Sequence, residues 1–225
     1  MSSSLVGSEM CIRDSVITDY IQTVDGSSGV APIWVDESGQ NRIIVIPGAN
    51  DLIDGSLAIE ALEKIGKPDV LVGQFEIPMN VNEQVFSYAY KNGVETVLNP
   101  APANKPSDIL LQNTSWFIPN EIEFEEIYGD IFNENNLLLF AKNVDTNVVV
   151  TLGEKGCAYI ENNSVKIIKA DSVKAIDTTG AGDAFVGAFS FALASKLDIE
   201  ECLKLALKKA TDSVTKKGTQ SSYKN

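Results

Sequence analysis

The sequence predicts an α/β fold with a mostly parallel sheet, on three observations. Short β-rich runs alternate with helical stripes along most of the chain. Hydrophobic residues make up 44% of it and charged residues 22%, the usage of an ordinary globular protein. Its 225 residues allow one large domain or two small ones.

Residues 1–15 (MSSSLVGSEMCIRDS) carry neither strand alternation nor a helical stripe. They read as an appended, non-native leader similar to translated sequencing-adapter sequence, ahead of a domain over 16–225. Residues 31–35 and 42–46 are apolar, β-rich runs joined by a turn-rich stretch containing Gly39, which predicts a β-hairpin. Leu57, Ile59, Ala61, Leu62 and Ile65 form an approximate helical stripe that closes near Gly66 and Pro68. A short buried-type strand over 70–73 follows. Residues 85–90 and 121–128 read as helices, and 96–98 and 148–152 as strands. Residues 158–160 and 165–168 read as a second hairpin. Two helices close the chain, one starting near Ala181 and one over 199–214. No repeat of solenoid period is visible.

Composition removes several classes of function. The net charge is −13, from 18 Lys and Arg against 31 Asp and Glu. That argues against nucleic-acid binding and against polybasic docking on a membrane, both of which need clustered cations. A small-molecule partner fits better. The chain has no histidine, so Ser-His-Asp and Cys-His catalysis and His-ligated zinc are excluded. Proton transfer falls to carboxylates, Lys, Tyr or Cys. Cys11, Cys157 and Cys202 are an odd number at long spacings, giving neither a disulfide framework nor a Cys-x-x-Cys metal site. This usage predicts a reducing, cytoplasmic setting, with the nucleus also open to a eukaryotic protein. No run of about 18 apolar residues is present.

The sharpest local feature is Asp177-Thr178-Thr179-Gly180-Ala181-Gly182-Asp183-Ala184-Phe185, between an extended segment and a helix carrying Phe185, Phe189 and Leu193. A glycine-rich turn that opens a helix presents backbone N–H groups and the positive end of the helix dipole, a site for phosphate or developing negative charge. Asp183 in such a place suits a hydroxyl, whose proton it could accept during phosphoryl transfer. The same residues also suit a plain capped helix start. Three other segments follow or adjoin strands, where ligands gather in open α/β sheets. They are Leu98-Asn99-Pro100-Ala101-Pro102-Ala103, Ile118-Pro119-Asn120-Glu121-Ile122-Glu123 and Thr151-Leu152-Gly153-Glu154-Lys155-Gly156.

With these segments in place, the sequence resembles the PfkB-type carbohydrate kinases over most of its length, from about Val16 to Tyr223. The resemblance rests further on Ser28-Gly29-Val30-Ala31, Pro47-Gly48-Ala49-Asn50 and Thr215-Lys216-Lys217-Gly218-Thr219-Gln220-Ser221-Ser222. The Asn-Pro-Ala-Pro loop and the terminal Lys-Gly-Thr-Gln-Ser-Ser run favour the family's ribose-phosphorylating branch over those acting on fructose or adenosine. The resemblance implies a ribokinase-like, doubly wound sheet with a partial β-hairpin lid. It implies ATP-dependent phosphorylation of D-ribose to D-ribose 5-phosphate, with Asp183 as base and the backbone of Gly180, Ala181 and Gly182 as an anion hole. Glu76 matches a sugar-contacting carboxylate. Asn120, Thr151, Leu152, Gly153, Glu154, Lys155 and Gly156, with Gly182 and Asp183, match ATP-contacting positions, and Glu123 lies near Mg²⁺ and the phosphates. Asp177, Thr179, Ser213, Lys216, Gly218 and Ser222 match a K⁺ site of mostly backbone carbonyls. Complete members of the family are expected to be homodimers.

The match also has gaps. The family's first strands and its Gly-Gly-Lys-Gly-Ala-Asn sugar-binding turn have no counterpart here, so the chain reads as a fragment lacking N-terminal strands. Leu207-Lys208-Lys209-Ala210-Thr211-Asp212 replaces a small, Ala-rich stretch beside the adenine. Two alternatives stay open: another sugar or nucleoside kinase of the family, and a silent fragment that keeps only nucleotide-binding elements.

Overall fold

The computed structural model describes residues 17–35, 41–219 and 222–223. The expected leader lies outside these residues, as does the tip of the first hairpin. The described residues pack as two compact units, one of those up to Gly66 with Glu76–Val85, the other of Lys67–Phe75 with those from Phe86 onward.

The first unit holds the predicted hairpin, β1 (Ile33–Val35) antiparallel to β2 (Asn41–Ile43), with Trp34 opposite Arg42. A 3-10 turn (Gly48–Leu52) leads to helix α1 (Gly55–Ile65). Asp54 starts α1 because its carboxylate accepts the N–H of Ser56 at 2.7 Å and of Leu57 at 3.4 Å. Helix α2 (Met79–Lys91) is longer at both ends than the predicted 85–90; its first seven residues belong to this unit.

The second unit is built on a six-stranded sheet in sequential order: β3 (Val70–Gly73), β4 (Glu95–Leu98), β5 (Trp116–Phe117), β6 (Asn147–Thr151), β7 (Cys157–Glu161) and β8 (Ser164–Ile168). β3 to β6 run parallel, and the β7–β8 hairpin continues the sheet antiparallel. The helices are α3 (Asp108–Gln112), α4 (Glu121–Tyr128), α5 (Glu134–Val144), α6 (Ala181–Ala194) and α7 (Ile199–Val214).

Strand alternation divides the core between the two sheet faces. Val97, Ile118, Val149, Cys157 and Tyr159 pack with Phe185, Phe189, Cys202, Leu203 and Ala206 of α6 and α7. Their sequence neighbours turn to the other face, where Phe117 meets Phe140 of α5 and Phe140 meets Phe124 of α4. Helices therefore cover both faces, as a doubly wound sheet requires. Each fully buried Phe removes enough apolar surface to stabilise the fold by roughly 1.5–3 kcal/mol. Trp116 meets Phe189 edge-on, with ring centroids 5.2 Å apart.

Leu207, expected near the adenine, is buried in this core. No helix among the described residues is long and apolar enough to cross a membrane.

Candidate active site at the start of helix α6

The site begins with a contrast between helix starts. Asp54, Ser107, Asn120, Asn133 and Asp198 cap α1, α3, α4, α5 and α7 through a side-chain oxygen. Helix α6 has no such cap: its N-cap is Gly180, in the left-handed conformation at φ 77°. The first-turn N–H groups lack intrahelical acceptors by construction. Ala181 N–H makes only a 3.3 Å contact with the Thr178 carbonyl. The positive end of the helix dipole is thus left open to an anion.

Asp183 stands in that first turn. Its carboxylate has no hydrogen-bond or ion-pair partner among the described residues, so it does not cap the helix. The residue is open to solvent, yet the cleft walls strip enough water from the carboxyl to raise its pKa. A cleft of ≈140 Å³ brings together Gly180, Gly182, Asp183, Asn120, Glu123 and Thr151, with Asn99, Ala101, Ile118 and Val186 completing the lining.

Each wall has a local cause. Asn120 and Glu123 form a reciprocal capping box: Asn120 Oδ1 accepts the Glu123 N–H at 2.8 Å, and Glu123 Oε2 accepts the Asn120 N–H at 2.8 Å. This pins Glu123 at 8% exposure. Burial pushes its pKa up, and the charges of Glu126 and Asp183 push the same way against the backbone bond from Asn120. Thr151 N–H donates to the Pro119 carbonyl at 3.0 Å, fixing the end of β6 beside Asn120. Asn99 Nδ2 donates to the Ile118 carbonyl at 2.9 Å, tying the loop after β4 to the loop after β5.

The remaining expected site residues fall into groups. Leu152 is buried and its N–H bonds the Gly156 carbonyl at 2.8 Å. Gly153, Glu154 and Lys155 form an exposed 3-10 turn from the same strand end, where Lys155 lies 3.7 Å from Glu121. Gly156 must be glycine: its φ is 105°, and a Cβ would fall on the Ile168 carbonyl. None of residues 152–156 lines the cleft. Ala181 belongs to the turn but also stays out of the lining. Glu76 is exposed and belongs to the first unit, whereas every lining residue belongs to the second.

Among the expected cation ligands, Asp177 accepts the Thr179 and Gly218 N–H groups, each at 3.0 Å, which hold its pKa below the ordinary aspartate value. Lys216 Nζ donates to the Ser222 carbonyl at 3.0 Å. Ser213 is buried in the last turn of α7 and its Oγ bonds the Ala210 carbonyl at 2.8 Å. No group of three or more His, Cys, Asp or Glu side chains able to hold a metal ion occurs among the described residues.

Sequence reasoning did not single out Asn99, Ala101, Ile118 and Val186 as lining residues. The Asn-Pro-Ala-Pro loop marked the region of Asn99 and Ala101, and the segment from Ile118 to Glu123 that of Ile118, whereas Val186 looks like any core residue.

An uncapped glycine turn beside an unpartnered aspartate, at the strand ends of a doubly wound sheet, offers an anion site and a proton acceptor side by side, the two parts that phosphoryl transfer uses. The pfkB family carbohydrate kinase model matches residues 9–225, and the chain belongs to that family. It is 37% identical over 213 residues to a deoxyribokinase of Salmonella typhi, covering 92% of this chain and 70% of that protein. It is 37% identical over 223 residues to the ribokinase of Mus musculus, covering 94% and 69%. The structure of Arabidopsis thaliana ribokinase complexed with ribose and ATP superposes with a TM-score of 0.84 at 28% identity, covering 92% of this chain and 70% of that one.

Proposed function

We propose that the protein transfers the γ-phosphoryl group of ATP to the 5-hydroxyl of D-ribose, giving ADP and D-ribose 5-phosphate. The observation that carries this reading is the free Asp183 carboxylate beside the uncapped start of α6, in one cleft with Asn120, Glu123 and Thr151. Asp183 accepts the proton of the attacking hydroxyl. The sugar oxygen forms the new bond to phosphorus as the bond to the β–γ bridging oxygen breaks, and ADP leaves with that electron pair. The N–H groups of Ala181 and Gly182 and the helix dipole hold the negative charge on the transferring group. Asn120, Thr151 and the turn over 152–156 position the nucleotide.

Two carboxylates, Glu123 and Asp183, line the cleft. That pair fits Mg²⁺, which retains waters and phosphate oxygens rather than needing a full protein cage. Glu123 would hold it, and the ion would neutralise charge on the phosphates. Asp177, Thr179, Ser213, Lys216, Gly218 and Ser222 offer the hard oxygen atoms suited to K⁺. The Ser222 carbonyl already receives the Lys216 ammonium.

The similarity to a deoxyribokinase favours a second reading in which 2-deoxy-D-ribose is the acceptor. A panel of D-ribose, 2-deoxy-D-ribose, D-fructose and adenosine with ATP, read by ³¹P NMR, separates the two. The highest kcat/KM is expected for D-ribose, with phosphate on the 5-oxygen. A preference for 2-deoxy-D-ribose would transfer the assignment to the second reading. Turnover of none of the four would reject sugar phosphorylation by this chain.

A further inference from the structure

The phenol of Tyr223 donates a 2.8 Å hydrogen bond to the Gly180 carbonyl, across 43 positions of sequence. That carbonyl also accepts the Ala184 N–H at 2.9 Å, so two donors converge on one oxygen at the head of α6. A Cβ on residue 180 would collide with the phenol oxygen; the contact exists because the backbone there is bare.

Three more bonds tie the approach to the turn to the last residue of α7 and the segment after it. Ile176 N–H and Asp177 N–H donate to the Val214 carbonyl at 2.7 and 3.2 Å. Asp177 Oδ2 accepts the Gly218 N–H at 3.0 Å. The segment is itself braced by Lys216 Nζ on the Ser222 carbonyl at 3.0 Å and by Ser222 N–H on the Thr219 carbonyl at 2.9 Å. Tyr223 is the far tip of this brace.

A planar trans peptide points its carbonyl and its N–H in opposite directions. Holding the Gly180 oxygen therefore aims the Ala181 N–H. Without the phenol that peptide is held by the Ala184 N–H alone, at a glycine for which left-handed and right-handed conformations cost nearly the same. An anion hole accelerates a reaction only when its donors are aimed before charge develops. We propose that Tyr223 is a positioning residue for phosphoryl transfer, its hydroxyl locking the Gly180–Ala181 peptide so that the first-turn N–H groups of α6 face the transferring group. This inference rests on the phosphoryl-transfer reading of the cleft.

Tyr223→Phe keeps the ring and removes the donor. We expect kcat and kcat/KM to fall together by about tenfold, less than the 10²–10³ of deleting a direct anion-hole donor, with the sugar KM unchanged. Kd for ADP should also stay unchanged, while affinity for ADP with aluminium fluoride and ribose, which mimics the transition state, drops by about tenfold. ¹⁵N relaxation dispersion supplies a readout independent of turnover: Ala181 and Gly182 should be quiet in the unmodified chain and show exchange in Tyr223→Phe. If these amides remain quiet in the variant, or kcat is unchanged, the positioning role is wrong. A rise in KM alone would likewise overturn it. Asp183→Asn separates this failure from that of the parent reading, because retained turnover in that variant rejects Asp183 as base whatever Tyr223 does.

Discussion

Asp183 and Glu123 both bind their protons more tightly than free carboxylic acids, mainly because the cleft keeps water from their charged forms. For Glu123 this has a consequence for stability. A carboxyl whose pKa is raised on folding favours the native state most at low pH, and that contribution is lost as pH rises through the folded pKa. Glu123→Gln retains an oxygen for the Asn120 N–H and carries no charge. Its melting temperature should match that of the unmodified protein below the ordinary glutamate pKa of 4.5 and exceed it at neutral pH. Equal melting temperatures at both pH values would show that the buried charge costs nothing. Among single residues, the placement of Asp183 and the glycines at a helix start was legible because the pattern is local: the glycines, the helix start and the carboxylate lie within four positions. Tyr223 was not, because its partner is a main-chain carbonyl 43 positions away and no side-chain pattern signals such a bond.

Helix starts are where sequence speaks most directly at the level of elements. Asp198 accepts the Glu201 N–H at 2.9 Å and sets the beginning of α7 close to its sequence expectation. Asp198→Ala removes that cap and should destabilise the protein by about 1 kcal/mol in urea titration, leaving the sugar and ATP KM values unchanged. A loss below a few tenths of a kcal/mol would mean that packing of α7 on α6 alone fixes the helix end. The missed elements have physical causes. Helix α5 carries the unbroken run Leu137, Leu138, Leu139, Phe140, which masks helical periodicity. β5 is two residues long, too short for alternation to register, and is defined only by its neighbours. The helix around residues 85–90 extends to Met79–Lys91 because burial of Val81, Phe86 and Ala89 outweighs the weak helix propensity of Asn80 and Asn82.

The sheet gives the site its geography. Loops after β4, β5 and β6 meet the head of α6, and their convergence makes a cleft from residues as distant in sequence as Asn99 and Asp183. Alternation of strands and helices made the fold class legible, and the resemblance to carbohydrate kinases named most of the polar lining in advance. Which apolar residues close the walls depended on strand register, which a two-residue strand does not announce. The central claim is that Asp183 is the base of a phosphoryl transfer from ATP to a sugar hydroxyl. Rapid-quench measurement of D-ribose 5-phosphate formation by Asp183→Asn, paired with its Kd for ATP, tests it most directly. A fall of roughly 10²–10⁴ in the transfer rate with Kd within about twofold of the unmodified protein is expected. Transfer within about tenfold of the unmodified rate would contradict it.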